Sequence, residues 1–585
     1  MSDFEVTNSA GGFKLKLSRG EQMCLLAFDL ADRPTDDFAG FGIEVKAPGQ
    51  ADFVPLMNRL AFDAGAYQAT PLNGSRNFSS LDNPFQKFRW LHFPWNPLSG
   101  DYAYRVTPMF MPGFAGGDRT LKAGAPITET IGLCDADYDA MDIGFTRNFA
   151  SSQAYAESFG NNPNIIPSLA SQGLSFHKLP PIPDAVTSRP RDVYDWLGFK
   201  AKRLIFEFLA SAQADPTLKL DVFAYDFNEP DILGMLLPLG NRLRIIIDDS
   251  KTHAGPTEAE TQAAAQLAAA GAAVRRTHFR RLQHNKVLIA RDAQGKALKV
   301  LCGSTNFSFR GLYIQANNVL VFTAPDVAAL FAQAFDIAFV DPSKLIMDPL
   351  SHIRNVVSLT NAPAGQFAFS PHRDSSVSLS PVAGAIDGAS SSVLFSIAFL
   401  NMDKEGPVRL AINRLMERPL FSYGVVDKDS GLQLTKPDGS ESIVDFQYLS
   451  DHSPEPFKSE WTGGNGIHLH HKFVVTDFNQ PTAKVFSGSS NLANGGEQEN
   501  GDHLIEIDDR KIATVYAIEA LRMFDHLHFR SAMKAAGVHP DTGAGKDPNH
   551  AMTLALPPAD GAKPWFDDDY TDGSQKARDR LLFSS

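Results

Sequence analysis

The sequence predicts an α/β fold in which two similar halves follow a small β-sandwich-like domain, and three observations carry that expectation. From residue 187 onward, short apolar strand-like runs alternate with helical periodicity, the pattern of an α/β architecture. The order of those runs recurs after residue 360. Before residue 145 the chain instead shows short alternating runs between Gly- and Pro-rich turns, such as Tyr102–Val106 and Met23–Phe28, which suit an antiparallel sandwich. The expected organisation is a β-sandwich-like domain over 1–145, a linker over 146–186, a first half over 187–345, a second half over 346–542, and a Pro-, Gly- and Asp-rich tail or wrapping arm over 543–585.

Each element has its own local signal. Leu218–Phe227 reads as a strand, Pro230–Leu239 as a helix entered beside a proline, and Leu243–Ile247 as a fully buried strand. An Ala-rich helix is expected over Glu258–Ala270, with Thr257 and Glu260 spaced as a capping box. Short strands follow around Val287, Val300 and Val319, then a helix over Asp326–Phe339. In the second half, Val393–Leu400 matches the first buried strand and Val408–Met416 the helix. Phe473–Val475, Val485–Phe486 and Leu504–Ile507 match the three later strands.

Composition narrows the class. With 585 residues, 43% of them hydrophobic, the chain exceeds one ordinary domain. A formal charge of -13 argues against a surface built to coat nucleic acid, while leaving room for a local basic groove. The three cysteines, Cys24, Cys134 and Cys302, lie far apart, which gives neither a disulfide framework nor a zinc-binding spacing. The first residues lack a basic segment followed by an apolar stretch. No apolar run reaches bilayer-spanning length, and Ile232–Gly240 is short and holds a proline. A cytoplasmic location, or export by a route that needs no signal peptide, is the expectation, with any membrane contact at the surface.

The chemistry-bearing residues come in two sets. The first is His284-Asn285-Lys286 with Gly303-Ser304-Thr305-Asn306, and the second is His470-His471-Lys472 with Gly488-Ser489-Ser490-Asn491. The glycine follows the histidine by 19 residues in one set and by 18 in the other. Residues two apart on a strand share a face, so each His and its Lys project together. The Gly-Ser-x-Asn turn allows close backbone approach and adds hydroxyl and amide donors for a phosphate oxygen. Facing each other, the two sets offer two imidazoles, two ammonium groups and two amides to one phosphorus. Phosphodiester cleavage needs a nucleophile, an acid for the leaving oxygen, and donors for the remaining oxygens. Imidazole suits the first two tasks because its pKa lies near neutrality. No metal and no other cofactor is expected.

These residues resemble the duplicated HxK(x)4D and GSxN motifs of the phospholipase D superfamily. His470, Lys472 and Asp477 match the pattern in full. In the first copy, Arg291 stands where the family has Asp, and Asp292 lies one residue later. The resemblance implies paired α/β/α lobes over residues 187–540 sharing one active site, with His284 as nucleophile through a phosphohistidine and His470 as acid and base. Lys286, Lys472, Asn306 and Asn491 would hold the phosphate, supported by Ser304, Ser489 and Asp477. It also implies that a carboxylate or amide downstream orients the histidine of the other half. The expected candidates are Glu499, beside Asn500, and Asn317, beside Asn318, with Gln315 as a further neutral candidate.

Other signals are weaker. His468, His470, His471 and Asp477 could suggest a metal site, but an ammonium beside the ligands repels a cation. His468 reads as a cleft-wall or surface residue. Arg275, Arg276, Arg280 and Arg281 either steer an anionic substrate or form a solvated face. Trp90 and Trp95 read as packing residues, Trp461 as a residue of the cleft mouth, and Phe307 as a candidate for a stacking rim. The leading function is cleavage or exchange of phospholipid head groups, the alternative is a nuclease with the same two-histidine site, and a non-enzymatic module is disfavoured by the intactness of both sets.

Overall fold

Buried apolar strands flanked by helices on both faces form two mixed sheets, one in each half of the chain. The computed structural model describes residues 3–63, 78–134, 138–147, 159, 174, 178, 180–183, 190–400, 403–427, 431–445, 469–535, 553–558 and 562–585. Counting strands of the mixed sheets only, the first sheet contains β1 (Met141–Phe145), β2 (Lys219–Ala224), β3 (Leu243–Ile247), β4 (Ala273–Arg276), β5 (Val287–Arg291), β6 (Ala297–Gly303) and β7 (Asn318–Phe322), in the spatial order β1-β7-β6-β5-β2-β3-β4. The second contains β8 (Asn355–Val357), β9 (Gly365–Phe369), β10 (Ser392–Ile397), β11 (Phe421–Val426), β12 (Ile443–Asp445), β13 (Lys472–Thr476), β14 (Lys484–Gly488) and β15 (His503–Ile507), in the order β8-β9-β15-β14-β13-β10-β11-β12. Leaving out the edge strand β8, the two orders are the same, and the strand directions agree. In each sheet two parallel pairings, β2-β3-β4 and β10-β11-β12, adjoin an antiparallel set.

Strand alternation sorts the side chains between cores. Phe223, Ile246, Val287, Ile289, Val300 and Cys302 of the first sheet join Leu394, Phe473, Val475 and Val485 of the second in one central core. The helices Pro325–Val340 and Arg510–Ala535 contribute to it. The opposite faces close separate cores, Leu220, Val222, Ile245 and Leu288 in the first half and Val393, Phe395, Val474 and Phe486 in the second. The halves thus share one apolar core that includes these two helices.

Three expectations are corrected. β1, assigned above to the N-terminal segment, pairs with β7 and occupies the place that β9 holds in the second sheet; the repeated unit therefore starts before the 146–186 segment rather than after it. The helix Ala259–Ala269 has Glu258 at its N-cap without a side-chain cap bond, so the Thr257–Glu260 box does not form. The Glu260 carboxylate is instead used by the core, accepting from the Phe227 amide at 2.8 Å. Within 543–585, the described residues are packed rather than a free tail. Phe566 lies in the core of the N-terminal sheets, and Phe583, on the helix Gln575–Ser584, in the central one.

Residues before β1 form a four-stranded and a five-stranded antiparallel sheet that share an apolar core with Phe28, Phe41 and Tyr104 at its centre. Trp90 packs tilted against Phe85 within this domain, and Trp95 stacks on Trp196 at its border with the first half. Trp461 and His468 lie outside the described residues. Among the described residues, no helix is long and apolar enough to cross a membrane.

Candidate active site

β5 and β13 start at Val287 and Lys472, so each His-x-Lys run lies largely in the approach to its strand rather than inside it. That approach is held by the other half of the chain. The His284 amide donates to the Gly501 carbonyl at 2.9 Å, and the His470 amide donates to the Ala316 carbonyl at 3.2 Å. Two short parallel bridges, Gln283 to Gly501 and Ala316 to Leu469, therefore stitch the halves together beside the two histidines.

The side chains repeat this exchange. His284 Nδ1 lies 2.7 Å from Asp502 Oδ1, and His470 Nδ1 lies 2.8 Å from Asn317 Oδ1. Ser489 Oγ donates to the same Asp502 oxygen at 2.7 Å, while Ser304 Oγ donates to Asn317 Oδ1 at 2.9 Å. The Asn317 amide nitrogen is spent on the Gly311 carbonyl, which fixes its oxygen toward His470. Both imidazoles thus carry their proton on Nδ1 and keep a lone pair on Nε2. The serines of the two Gly-Ser-x-Asn turns each lock the residue that orients the histidine of the opposite half. Gly303 and Gly488 have φ of 142° and 146°, and a Cβ at either would fall 2.5 Å or less from a backbone carbonyl oxygen. Glycine is required there for the turn to approach the next strand.

Glu499 does not take the place expected for it. Its side chain is exposed, and Asp502 immediately precedes β15 as Asn317 immediately precedes β7. Counted from the Asn of each Gly-Ser-x-Asn turn, Asn317 and Asp502 stand at the same offset, 11 residues on, each after a short helix, Phe309–Tyr313 or Asn494–Glu499, and Glu499 lies three residues short of it. Gln315 is buried, and its carbonyl accepts from Thr146 Oγ1. Asn500 and Asn318 are buried beside the orienting residues, with the Asn318 amide donating to Ser487 Oγ at 2.8 Å.

Lys286 and Lys472 are fully buried, and each ammonium donates to the carbonyl of the histidine two residues earlier. Aromatic rings wall both centres. The Tyr225 ring packs edgewise on His284 at 4.7 Å, with Lys286 Nζ 4.7 Å from its centroid. Phe399 lies 6.1 Å from His470 and 5.5 Å from Lys472 Nζ. Asn306 and Asn491 each present a buried amide oxygen that has no hydrogen-bond partner among the described residues. In a dry site an amide end without a partner is costly, and the two fall at equivalent positions of the two Gly-Ser-x-Asn turns.

Burial, followed by the Lys286 and Lys472 charges, holds His284 well below the usual imidazole range. Burial, then Lys472, Lys286 and His284, does the same to His470. Lys286 is pushed down to about 7 by burial, against the pull of Asp502, Asp226 and Asp248. Lys472 is lowered well below its ordinary value by burial and by Lys286. Asp502 is pushed up to about 7 by burial, opposed by Lys286. Four basic groups around one carboxylate make a cavity whose charged forms gain most when an anion enters.

The motif's acidic position is structural in both copies. Asp477 accepts from the amides of Ser390, Ser391 and Ser392 and so ties the end of β13 to the start of β10. In the first half, Arg291 takes over this tie, pairing with Asp221 of β2 at 2.5 Å and with Asp336 at 3.0 Å. Asp292 caps its own turn through the Lys296 amide. Phe307 is buried in the outer core of the first half and forms no rim. Arg275 and Arg276 are spent on backbone carbonyls and on Thr261. Arg280 and Arg281 are exposed, and the Arg281 amide donates to the Glu499 carbonyl across the halves.

The family model described as "Cardiolipin synthase, PLD-like domain" matches residues 205–338. No curated protein matches the chain. Among solved structures, it is similar to a polyphosphate kinase from Porphyromonas gingivalis, at 12% identity over 58% of this chain and 48% of that one, with a TM-score of 0.38. It is similar to the phosphatidylserine synthase of Haemophilus influenzae, at 14% identity over 57% of this chain and 85% of the other, with a TM-score of 0.40. The phospholipase D family member Nuc from Salmonella typhimurium is 25% identical over 22% of this chain and 84% of its own, with a TM-score of 0.19.

Proposed function

From the premise that the chain belongs to the phospholipase D superfamily, we propose that it is a phosphodiesterase cleaving or exchanging phospholipid head groups without a metal, through one site shared by its two halves. The observation that carries this reading is the exchange of orienting residues, with His284 held by Asp502 and His470 by Asn317.

That asymmetry supports one distribution of roles. A nucleophile gains from a carboxylate on its far nitrogen, because attack through Nε2 leaves positive charge on the ring. His284 Nε2 attacks phosphorus, and the bond to the leaving alkoxide breaks. An acid gains from a neutral partner, which leaves its imidazolium readier to give up a proton. His470 protonates the alkoxide as it departs. It then takes a proton from water or an alcohol, whose oxygen attacks phosphorus and releases His284. Entry of the anionic diester offsets the Lys286 and Lys472 charges that depress His470 in the free site, so the substrate itself prepares the acid. The two ammonium groups and the Asn306 and Asn491 amides take up the charge on the non-bridging oxygens.

A lipid substrate is favoured by the net acidity of the chain and by its 43 phenylalanines. The exposed Arg280 and Arg281 beside the His284 approach favour the nuclease reading. The test is a product assay in EDTA with phosphatidylcholine, phosphatidylethanolamine and DNA. A few per cent of ethanol should divert product from phosphatidic acid to phosphatidylethanol, because a base that activates water also activates a primary alcohol. DNA cleavage that falls steeply with salt, with no phosphatidylethanol from either lipid, replaces the lipid reading with the nuclease.

A further inference from the structure

We propose that Asp226, His253 and Glu260 form a binding site for one divalent transition-metal ion of the Zn2+ or Mn2+ type, at the edge of the first sheet and separate from the phosphodiester centre. Asp226 follows β2, and His253 lies in the turn that leaves β3. Glu260 opens the helix Ala259–Ala269. β2 and β3 are parallel, so their carboxyl ends deliver these side chains to one edge of the sheet, the place where open α/β sheets receive ligands. One ligand atom from each residue lies within 4.8 Å of the others. Bonds of about 2.1 Å set ligand atoms roughly 3 to 4 Å apart, so a small inward shift of the ligand atoms completes the geometry.

The histidine supplies a second, independent reason. His253 Nδ1 is engaged by Asp248 Oδ2 at 2.8 Å. Asp248 is itself fixed by the amides of Ser250 and Gln283. With Nδ1 engaged by a carboxylate, the ring turns Nε2 toward Glu260 Oε1, 4.0 Å away. A carboxylate behind the imidazole is the arrangement that strengthens a histidine ligand, and the Glu260 oxygen in front of it already accepts from the Phe227 amide, which fixes its position. One nitrogen with two carboxylates suits a transition ion better than an all-oxygen ion such as Ca2+. Asp226 and His253 are half-buried, which leaves coordination positions open to solvent. The ion would lie across the Tyr225 ring from His284, since that ring packs edgewise on both histidines, at 4.8 Å from His253 and 4.7 Å from His284.

Calorimetric titration of the full chain, stripped with EDTA and desalted, with ZnCl2 and with MnCl2 tests the assignment. One ion per chain with micromolar or tighter affinity is expected. Asp226→Asn, Glu260→Gln and His253→Gln should each weaken it at least about tenfold, and Asp248→Asn should do so by about 10- to 100-fold through His253 alone. Circular dichroism checks each fold, and the half-buried Asp226→Asn keeps the test decisive if His253→Gln does not fold. No saturable binding at millimolar ion overturns the proposal and leaves a proton as the cation on His253. Binding that Asp226→Asn and Glu260→Gln do not change overturns it equally.

Discussion

Replacing Asp502 with Asn keeps the shape of the side chain and removes the charge behind His284. The pair is buried on both sides at 2.7 Å, so solvent screens it little. A hydrogen bond to a charged group contributes about 1.5–3 kcal/mol, and with 1.36 kcal/mol per decade of rate the variant should be slower by roughly 10- to 100-fold. The assay is turnover of bis(nitrophenyl) phosphate, whose activated leaving group needs little help from an acid, so that release of its first nitrophenolate reports on His284 rather than on the acid. The loss should fall on kcat, because the charge stabilises the ring only as it becomes positive. Asn317→Asp is the mirror experiment. Its new carboxylate should make His470 a poorer acid, slowing an alkyl leaving group while sparing the nitrophenyl ester. Loss below about threefold in Asp502→Asn, or equal losses in both variants on the nitrophenyl ester, would refute the assignment of roles.

Other outcomes follow from the same geometry. His284→Ala and His470→Ala should each lower turnover of an alkyl diester by at least about a thousandfold, and half-activity in either would reveal two independent sites. Turnover should persist after exhaustive chelation, because the two lysines and two amides already receive the phosphate charge. Burial raises the Asp502 pKa from 3.8 to about 7, so the folded state binds more protons than the unfolded one between those values. The Asp502 contribution to stability is present below its unfolded pKa and is lost as pH rises toward 7; the melting temperature of Asp502→Asn relative to the parent should therefore rise over that window. Asp477→Asn should lower stability in urea by about 1–3 kcal/mol, since one carboxylate serves three backbone amides, with kcat little changed.

Much of this was legible in the residues. The strands β2, β3, β5, β6, β7 and their counterparts stood out because their alternating or continuous apolar runs are set by burial on two faces. The paired His-x-Lys and Gly-Ser-x-Asn runs stood out because phosphoryl chemistry restricts residue type and spacing at once. Asp502 was missed for a physical reason. Which residue orients a histidine is set by which one stands just before the next strand, 11 residues after the turn's Asn in both halves, and not by the nearest carboxylate in sequence, Glu499. β1 was missed because five residues flanked by turn-rich sequence look alike in either domain, and only pairing with β7 decides between them. The Thr257–Glu260 box failed because a buried amide, that of Phe227, competed for the same carboxylate.

The claim that two halves build one centre is tested most directly by counting the covalent intermediate. In His470→Asn, bis(nitrophenyl) phosphate still expels its first nitrophenolate, but no base remains to activate water. The account predicts a burst of one nitrophenolate per chain and a single acid-labile phosphoramidate, located by mass spectrometry on His284. An adduct on any other residue, or a burst of two per chain, would contradict it.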